Sequence, residues 1–373
     1  MKKPIYLIHV IVLYTAQLFL IGCNNSDDTI IPDTITPNNE IHEVLLQATS
    51  DQARPGMIAA IMDHEGILLI ESAGLRKINS EEALTIHDKI HLGSCTKSMT
   101  ATMLATLVSE GLLTWETTIV EIFPELSESI HTDYHEATLH DLVTHRSGIA
   151  TNARNWMLGQ DLEIKERRLA IIKDNLSAAS QVKDGEFEYS NLAYMIAGAM
   201  AERVTGQSWE ELMQARLFDP LGMTSAGFGH PGSPGQVDQP WGHVKFSSNW
   251  VPVQEDNPEA LGPAGIVHSS FEDWAKYIAL QLPLSTSAIL TRDQLSFLVN
   301  PEGDYASGWG IGFREWANGV VYSHSGSNTK WYSVVWVAPE LDRAYMVATN
   351  SADDDTARDI DNVVAKLIDY DQQ

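Results

Sequence analysis

The chain has 373 residues, of which 44% are hydrophobic and 20% are charged, so it is long enough to bury a large core. The formal net charge of -26 excludes nucleic acid as a partner, because no excess of lysine and arginine is present to neutralise phosphates. We interpret the acidity as a dispersed, solvated surface.

The N-terminal residues have the features of an export signal. Two lysines at positions 2 and 3 precede an apolar run that is too short for a stable membrane span. The run ends in LIGC at positions 20–23, which resembles the lipobox of bacterial lipoproteins. The resemblance implies cleavage before Cys23 and acylation of Cys23, with a plain membrane anchor as the alternative. We therefore predict a signal peptide (1–22), a flexible tether (23–39) and a lipid-anchored location in the bacterial cell envelope.

Hydrophobic periodicity predicts strands near both ends of the chain, with helices between them. A helix over about 40–50 is followed by two strand segments around an Asp-His-Glu-Gly turn, which predict a hairpin. A helix-rich stretch then extends from 94 to about 282. The predicted hairpin strands are 57–62 and 67–72, the later strands are 319–323, 331–338 and 343–349, and a closing helix covers 357–370.

This order of elements predicts an α+β fold with one antiparallel sheet, built from both termini and flanked by helices. The inserted segment forms a mostly helical lobe. We predict one domain over 40–370, with an α/β lobe at about 40–93 and 284–370 and a helical lobe at about 94–283. A cleft between the two lobes is the expected ligand site.

The first motif with chemical potential is Ser94-Cys95-Thr96-Lys97, at the start of a strong helical pattern. Positions i and i+3 share a helix face, so Lys97 can reach the Ser94 hydroxyl and act as its base. A lysine among apolar groups loses enough pKa for that role. The spacing alone is weak evidence, because Ser-x-x-Lys recurs at 180–183 and 327–330. A helix-capping serine is the structural alternative for Ser94.

The second motif is Tyr189-Ser190-Asn191, where a polar loop enters an amphipathic helix. The tyrosine is a candidate general base together with Lys97, and the asparagine amide is a candidate ligand of a substrate carbonyl. A buried tyrosine and a capping asparagine are the structural alternative.

The third motif is His324-Ser325-Gly326, at the end of a predicted strand. Glycine lets a substrate approach the backbone closely, and the next N–H, that of Ser327, is a candidate oxyanion-hole donor. Alone this motif is weak, because His-x-Gly also occurs at positions 64, 91 and 230.

The order and context of the three motifs resemble the serine β-lactamase class C and DD-peptidase family. Four further segments are similar to that family: LVTHRSGI at 142–149, LFDPLGM at 217–223, GPAGIVHSSFEDWAKYI at 262–278 and GWGIGF at 308–313. The resemblance covers roughly residues 40–370. It implies a helical lobe beside an α/β lobe, a serine hydrolase activity, and neither a metal nor an organic cofactor.

The resemblance also implies a role for each motif residue. Ser94 becomes acylated, while Lys97 and Tyr189 shuttle the proton. Asn191 binds the acyl side chain, and His324 with Gly326 lines the pocket. The N–H groups of Ser94 and Ser327 would form the oxyanion hole.

One departure affects the substrate. Class C β-lactamases usually have Lys-Thr-Gly in the third motif, where this chain has His-Ser-Gly, so a fixed positive charge for a substrate carboxylate is missing. Lys330 is expected to be a poor replacement, because six strand residues place it about 20 Å from His324. Arg146 and Arg314 are further candidates.

The sequence favours a serine acyl-hydrolase that forms a Ser94 acyl-enzyme, most of all a DD-carboxypeptidase-like peptidase acting on D-amino-acid peptides. Its predicted partners are a small-molecule or peptide substrate with a carbonyl centre and the membrane. A carboxylesterase, a class C-type β-lactamase and a non-catalytic peptidoglycan or β-lactam binding protein are the alternatives. Cys95 is expected to be a buried packing residue, turned about 100° from Ser94 along the helix.

Overall fold

The computed structural model describes residues 38–50, 54–183 and 185–373. In this part of the chain the strands are β1 (Gly56–Asp63), β2 (Gly66–Gly74), β3 (Ile90–His91), β4 (Gly227–Phe228), β5 (Gly242–Phe246), β6 (Asn249–Val253), β7 (Val267–Ser269), β8 (Gly310–Arg314), β9 (Gly319–Ser327), β10 (Tyr332–Ala338) and β11 (Arg343–Thr349). The helices are α1 (Asn39–Thr49), α2 (Thr96–Ser109), α3 (Ile119–Ile122), α4 (Leu139–Val143), α5 (Ile164–Asn175), α6 (Asn191–Thr205), α7 (Trp209–Met213), α8 (Gly262–Gly265), α9 (Phe271–Ala279), α10 (Arg292–Leu298) and α11 (Thr356–Asp371).

Both ends of the described chain meet in one six-stranded sheet with the order β2-β1-β11-β10-β9-β8. All neighbouring strands in it run antiparallel. The N-terminal hairpin joins the C-terminal strands through β1 and β11, with Met57 opposite Thr349. The predicted α+β fold with one antiparallel sheet from both termini is confirmed. Smaller sheets have the orders β3-β7-β4 and β5-β6.

The sheet is buried on both faces, as the alternation of β1 shows. Met57, Ala59 and Ile61 belong to one core cluster, which packs against residues of α1 and α11. Ile58, Ala60 and Met62 point to the other face and belong to the larger cluster, which includes residues of α2 and α6. Because successive side chains of a strand point to opposite faces, a strand covered on both sides reads as a continuous apolar run. The 57–62 segment is such a run.

The central helix of the larger cluster is α2, in which every residue from Thr96 to Leu107 is buried. A helix without an exposed face lies inside a core and not at its edge. A 3-10 turn, Gly93–Cys95, precedes α2 and carries Ser94. The helix therefore begins two residues later than the sequence suggested, and Ser94 lies on a tight turn at its N-terminal end.

The C-terminal part of the large sheet differs from the sequence-based expectations in the end of one strand and in the presence of another. Strand β9 continues to Ser327 instead of ending at 323, so the third motif lies inside the sheet. Strand β8 was not predicted, because its glycine-rich sequence GIGFR lacks a clear alternation of apolar and polar residues. The register explains both observations. Residues 324–327 of β9 pair with β10, where Tyr332 lies opposite Ser327, and β8 pairs with β9 from Gly310 opposite Ser323 to Arg314 opposite Gly319.

The N-terminal predictions fall outside the described residues. These are the signal peptide, the acylation of Cys23, most of the tether and the envelope location, and they stay predictions. The lobe boundaries at 93 and 283 also stay predictions. Among the described residues, no helix is both long enough and apolar enough to cross a bilayer.

Candidate active site

Ser94 and Lys97 face each other at the start of α2. The Lys97 Nζ lies 3.1 Å from the Ser94 Oγ, as the i, i+3 spacing predicts. The same nitrogen donates to Asn191 Oδ1 at 2.7 Å and to the carbonyl oxygen of Ala264 at 2.8 Å. Lys97 has no exposed surface, whereas Ser94 is half-buried.

Burial lowers the pKa of Lys97 well below its usual value, because the charged ammonium loses its hydration. A neutral amine has two N–H donors and one lone pair. Asn191 and Ala264 accept the two donors, so the lone pair is left to accept the hydroxyl proton of Ser94. The arrangement fits a lysine that acts as a base toward Ser94.

Tyr189 lies on the other side of Lys97, with its ring centroid 4.7 Å from Nζ. Burial raises the pKa of Tyr189 above its usual value and outweighs the opposing hydrogen bond with Ser94. The phenol therefore keeps its proton at neutral pH. Tyr189 is thus suited to donate a proton, whereas Lys97 is suited to accept one.

His145 holds the backbone on both sides of Tyr189. Its carbonyl oxygen accepts the N–H of Glu188 at 2.8 Å, and its Nδ1 accepts the N–H of Ser190 at 3.0 Å. The His145 and Tyr189 ring centroids are 4.4 Å apart. Burial, followed by the charge of Lys97, lowers the pKa of His145 to about 2. The neutral imidazole can therefore remain an acceptor for Ser190.

Asn191 is the first residue of α6, whose N-cap is Ser190. Its Nδ2 donates to Asn152 Oδ1 at 2.9 Å while its Oδ1 accepts from Lys97. An amide nitrogen carries two N–H donors. One of them is therefore left for a carbonyl oxygen of a substrate.

His324 lies on strand β9, next to Tyr189, and its imidazole is neutral. Its Nδ1 donates to the Ser325 carbonyl oxygen at 2.7 Å, so Nε2 is the acceptor and lies 3.2 Å from the hydroxyl of Tyr305. Burial, followed by the charge of Lys97, lowers the pKa of His324 to about 3. His324 thus supplies no positive charge at neutral pH.

The end of β9 is in direct contact with the turn that carries Ser94, and two glycines make this contact possible. A Cβ on Gly326 would lie 2.0 Å from the Leu92 carbonyl oxygen and 2.6 Å from the Ser94 nitrogen. A Cβ on Gly93 would lie 2.4 Å from the Ser327 nitrogen. All three distances are shorter than a real Cβ atom allows. The backbone nitrogens of Ser94 and Ser327 therefore belong to two segments in contact, as an oxyanion hole requires.

A comparison with protein families matches residues 40–369 to the family described as Beta-lactamase. The chain belongs to the β-lactamase family. It is a serine hydrolase of that fold. Penicillin-binding protein 4 of Amycolatopsis lactamdurans is 26% identical over 313 residues, which cover 76% of this chain and 78% of that protein.

Solved structures of the β-lactamase fold agree with this one. The octameric penicillin-binding protein homologue from Pyrococcus abyssi has a TM-score of 0.74 at 23% identity, with 88% of this chain and 77% of that chain covered. The D-amino acid amidase from Ochrobactrum anthropi SV3, complexed with L-phenylalanine amide, has a TM-score of 0.72 at 20% identity. That match covers 90% of this chain and 99% of the amidase chain.

The other two Ser-x-x-Lys patterns of this β-lactamase-family chain do not bring serine and lysine together. Ser180 Oγ donates to the Gly148 carbonyl oxygen at 2.5 Å, while the exposed Lys183 lies 3.5 Å from Glu186. Only a helical turn places positions i and i+3 on one face. The pattern at 180–183 lies in a loop.

Lys330 requires a correction. The separation of about 20 Å assumed six extended strand residues, but β9 ends at Ser327 and Lys330 lies in the turn before β10. Its Nζ contacts the Asn328 carbonyl oxygen at 3.4 Å and Thr329 Oγ1 at 3.3 Å. That turn directly follows Ser327, so the premise of six extended residues does not hold.

The two arginines considered from sequence are engaged elsewhere. Arg146 donates to the carbonyl oxygens of Gly185 and Glu302 at 3.0 and 2.6 Å. Arg314 lies over the Trp336 ring, 5.2 Å from its centroid. Neither guanidinium is free to serve as a ready-made carboxylate ligand.

Sequence reasoning missed three contributors to the site: the Ala264 carbonyl oxygen, His145 and Tyr305. Ala264 and His145 lie in the GPAGIVHSS and LVTHRSGI segments that carry the family resemblance, so those segments held a signal. No motif marks His145 within its segment, and Tyr305 has no recognisable pattern around it.

Cys95 packs as expected. It is buried and unpaired, with Sγ near the His324 carbonyl oxygen and Ser333 Oγ, and burial raises its thiol pKa to about 12. Within the described residues, no group of three or more histidine, cysteine, aspartate or glutamate side chains is arranged to hold a metal ion.

Proposed function

We propose that this protein hydrolyses the amide bond of D-amino-acid amides or peptides through an acyl-enzyme on Ser94. The observation that carries the proposal is the Lys97 amine, whose two other partners, Asn191 and Ala264, leave its lone pair for the Ser94 hydroxyl. The lowered pKa of Lys97 supports the same assignment.

Acylation begins when the Ser94 Oγ attacks the substrate carbonyl carbon and the hydroxyl proton passes to Lys97 Nζ. The C=O π electrons move to the carbonyl oxygen, and the backbone N–H groups of Ser94 and Ser327 stabilise the resulting oxyanion. The tetrahedral intermediate collapses with cleavage of the C–N bond. Tyr189 protonates the departing nitrogen and regains its proton from Lys97.

Deacylation repeats these steps with water as the nucleophile. Lys97, neutral again, takes a proton from the water through Tyr189, and the oxygen of water bonds to the acyl carbon. Cleavage of the ester bond returns the proton to the Ser94 Oγ. The products are a carboxylic acid and an amine, and the enzyme is restored.

The substrate class follows from relatives and from the charge of the site. A penicillin-binding protein and a D-amino acid amidase are among the proteins this chain is similar to. A neutral His324, with both ring nitrogens in hydrogen bonds, supplies no fixed charge for a free carboxylate. We therefore favour a substrate whose leaving group is neutral, such as an amide.

A DD-carboxypeptidase, which the sequence favoured, is the second candidate. Lys330 is the observation in its favour, because its described hydrogen bonds go to neutral oxygen atoms in the turn after Ser327. That ammonium is the cation a C-terminal carboxylate would need. The carboxylesterase and β-lactamase alternatives use the same Ser94 chemistry with other leaving groups.

The test compares four substrates on the purified full chain and on Ser94→Ala. These are D-alanine p-nitroanilide, a peptide ending in D-Ala-D-Ala, p-nitrophenyl acetate and benzylpenicillin, the last followed by intact mass. We expect turnover of the anilide that falls at least about 10⁴-fold in Ser94→Ala. Ser180→Ala, from the second Ser-x-x-Lys pattern, is the matched control and should keep wild-type turnover.

The substrate profile separates the candidates. Preference for the D-Ala-D-Ala peptide, lost in Lys330→Ala, would establish the carboxypeptidase, and preference for the acetate ester would establish the esterase. A penicillin adduct that forms and clears would establish a β-lactamase. Binding without any adduct or turnover would overturn the hydrolase and leave a non-catalytic binding protein.

A further inference from the structure

A carboxylate outside the three motifs lies behind the Ser94 turn. Asp256 follows β6 in the chain, and its side chain is only 11% exposed. Its Oδ1 lies 2.8 Å from His91 Nε2 and accepts from Asn328 Nδ2 at 3.1 Å. A carboxylate this deeply buried is costly unless its partners compensate for the lost hydration.

The contact with His91 leads directly to the Ser94 turn. The Gly93 N–H donates to His91 Nδ1 at 3.1 Å, so the proton of the neutral ring is on Nε2, which faces Asp256. His91 has no exposed surface. Asp256 is therefore connected through one imidazole to the Leu92–Gly93 peptide, one residue before the Ser94 N–H.

The contact with Asn328 leads to the second proposed oxyanion donor. Asn328 directly follows Ser327 and is 3% exposed. Its Oδ1 accepts the N–H of Lys330 at 3.2 Å, which closes the turn after β9. The same carboxylate oxygen thus contacts a side chain beside each of the two proposed donors.

Asn257, the residue after Asp256, contacts the segment that contains Ala264. Asn257 Nδ2 donates to the Gly265 carbonyl oxygen at 2.8 Å. Gly265 follows Ala264, whose carbonyl oxygen accepts from Lys97. One loop therefore contacts the Ser94 turn, the end of β9 and the segment that orients Lys97.

We propose that Asp256 is a positioning residue that sets the separation of the Ser94 and Ser327 N–H groups. The proposal rests on the Ser94 acyl-enzyme mechanism above. Asp256 touches no reacting atom. Its Oδ1 is the common contact of the His91 and Asn328 side chains, so removing the carboxylate removes the contact that holds the two segments together.

The kinetic consequence is specific to the transition state. An oxyanion forms only after attack, so a misplaced donor weakens the transition state more than substrate binding. Removal of one oxyanion donor costs about 10²–10³ in kcat, and a displaced donor costs less, about 30- to 100-fold. We expect Asp256→Ala, which removes the oxygen that contacts both side chains, to lower kcat by that factor and to leave KM within about threefold.

The experiment measures kcat, KM and inhibition by a phenylboronic acid, whose tetrahedral adduct on Ser94 places an oxygen in the oxyanion hole. In the folded Asp256→Ala variant, the boronate inhibition constant should rise by the same factor as kcat/KM falls. Glu259→Gln is the matched control, because Glu259 lies in the same loop and its side chain is 82% exposed. Its kinetics should equal those of the wild type.

Asn328→Ala is the second variant and removes one of the two contacts, in case Asp256→Ala fails to fold. It should lower kcat by a smaller factor, with the same proportional loss of boronate affinity. Wild-type kcat in either folded variant, or a kcat loss without loss of boronate affinity, would overturn the role of Asp256. If the wild-type chain shows no Ser94-dependent turnover, the hydrolase proposal itself is overturned, which is a distinguishable result.

Discussion

At Lys97, burial and hydrogen bonding act on the same nitrogen. Burial lowers the pKa of Lys97, and Asn191 and Ala264 accept both protons of the neutral amine. Tyr189 has the opposite shift, since burial raises its pKa. Two titratable groups whose pKa values move apart define an acid and a base at one pH. On this basis we assign Lys97 as the base and Tyr189 as the proton donor.

The first prediction concerns the pH dependence of kcat/KM. Lys97 acts in its neutral form, so kcat/KM should rise with pH through one ionisation centred well below 10.5, the ordinary lysine value. The raised pKa of Tyr189 keeps its proton in place, so the plateau should extend to at least about pH 10. Initial rates over a pH series measure both features.

Lys97→Arg is the variant that isolates this base. Arginine keeps a positive charge but does not lose its proton in proteins, so kcat/KM should fall by about 10²–10⁴ and the ascending limb should disappear. The control Lys183→Arg, at an exposed lysine, should retain the wild-type profile. An unchanged ascending limb in Lys97→Arg would assign the ionisation to another group.

The contact between β9 and the Ser94 turn determines the geometry of the site. Gly326 faces the Leu92 carbonyl oxygen and the Ser94 nitrogen, and Gly93 faces the Ser327 nitrogen. Gly93 also has φ +51, where residues with a side chain are strained. The third motif thus needs its glycine for the approach of two protein segments, whatever the substrate.

The second prediction is that Gly326→Ala separates these segments. The new Cβ would meet backbone atoms at 2.0 and 2.6 Å, and backbone cannot yield as a flexible side chain can. We expect kcat/KM to fall at least about 100-fold, because the proposed oxyanion donors move apart. Turnover assays combined with thermal unfolding measure the effect.

Gly312→Ala in β8 is the matched control. Its Cβ would meet the Arg314 guanidinium at 3.3 Å, which is the far end of a flexible side chain. Activity should remain within about twofold of the wild type, since no backbone has to shift. Comparable activity in Gly326→Ala and the wild type would show that the close approach does not determine the site geometry.

At the scale of the molecule, burial keeps four histidines of the described residues neutral. It lowers the pKa of His145 to about 2, of His324 to about 3, and of His243 and His268 to about 4. In the unfolded chain, histidine titrates near 6.5. As the pH falls below about 6.5, the unfolded state binds protons that the folded state does not, so the folded state loses stability.

The third prediction is a steep acid dependence of the free energy of unfolding. Each buried histidine contributes up to about 1.4 kcal/mol per pH unit, so the loss between pH 7 and pH 5 should be several kcal/mol. Urea unfolding at both pH values measures it. His268→Gln should recover about 2 kcal/mol of this difference.

The exposed histidine variant His87→Gln is the control and should leave the pH difference unchanged. Carboxylates with lowered pKa values, such as Asp353 beside Lys245 and Arg54, also destabilise the folded state when they are protonated, but they do so at lower pH. A flat free energy of unfolding between pH 7 and pH 5 would contradict the neutral assignment of the four histidines.

Local patterns were sufficient for most of the fold. The 57–62 and 67–72 segments became β1 and β2, and the predicted closing helix became α11, because periodicity and turn residues act over a few neighbours. Strand β8 was missed because its pairing with β9 compensates for a glycine-rich sequence. Pairing of this kind is not visible in the strand's own residues.

The sequence by itself determined that serine hydrolase motifs occur in order on an α+β chain, and that Lys97 follows Ser94 by one helical turn. Tertiary structure decided which Ser-x-x-Lys pair is brought together, which atoms surround the Lys97 amine, and that Asp256 contacts side chains beside both proposed oxyanion donors. The reason is physical. Spacing sets contacts within a helix, whereas burial, tautomers and contacts between distant segments arise only when the chain packs.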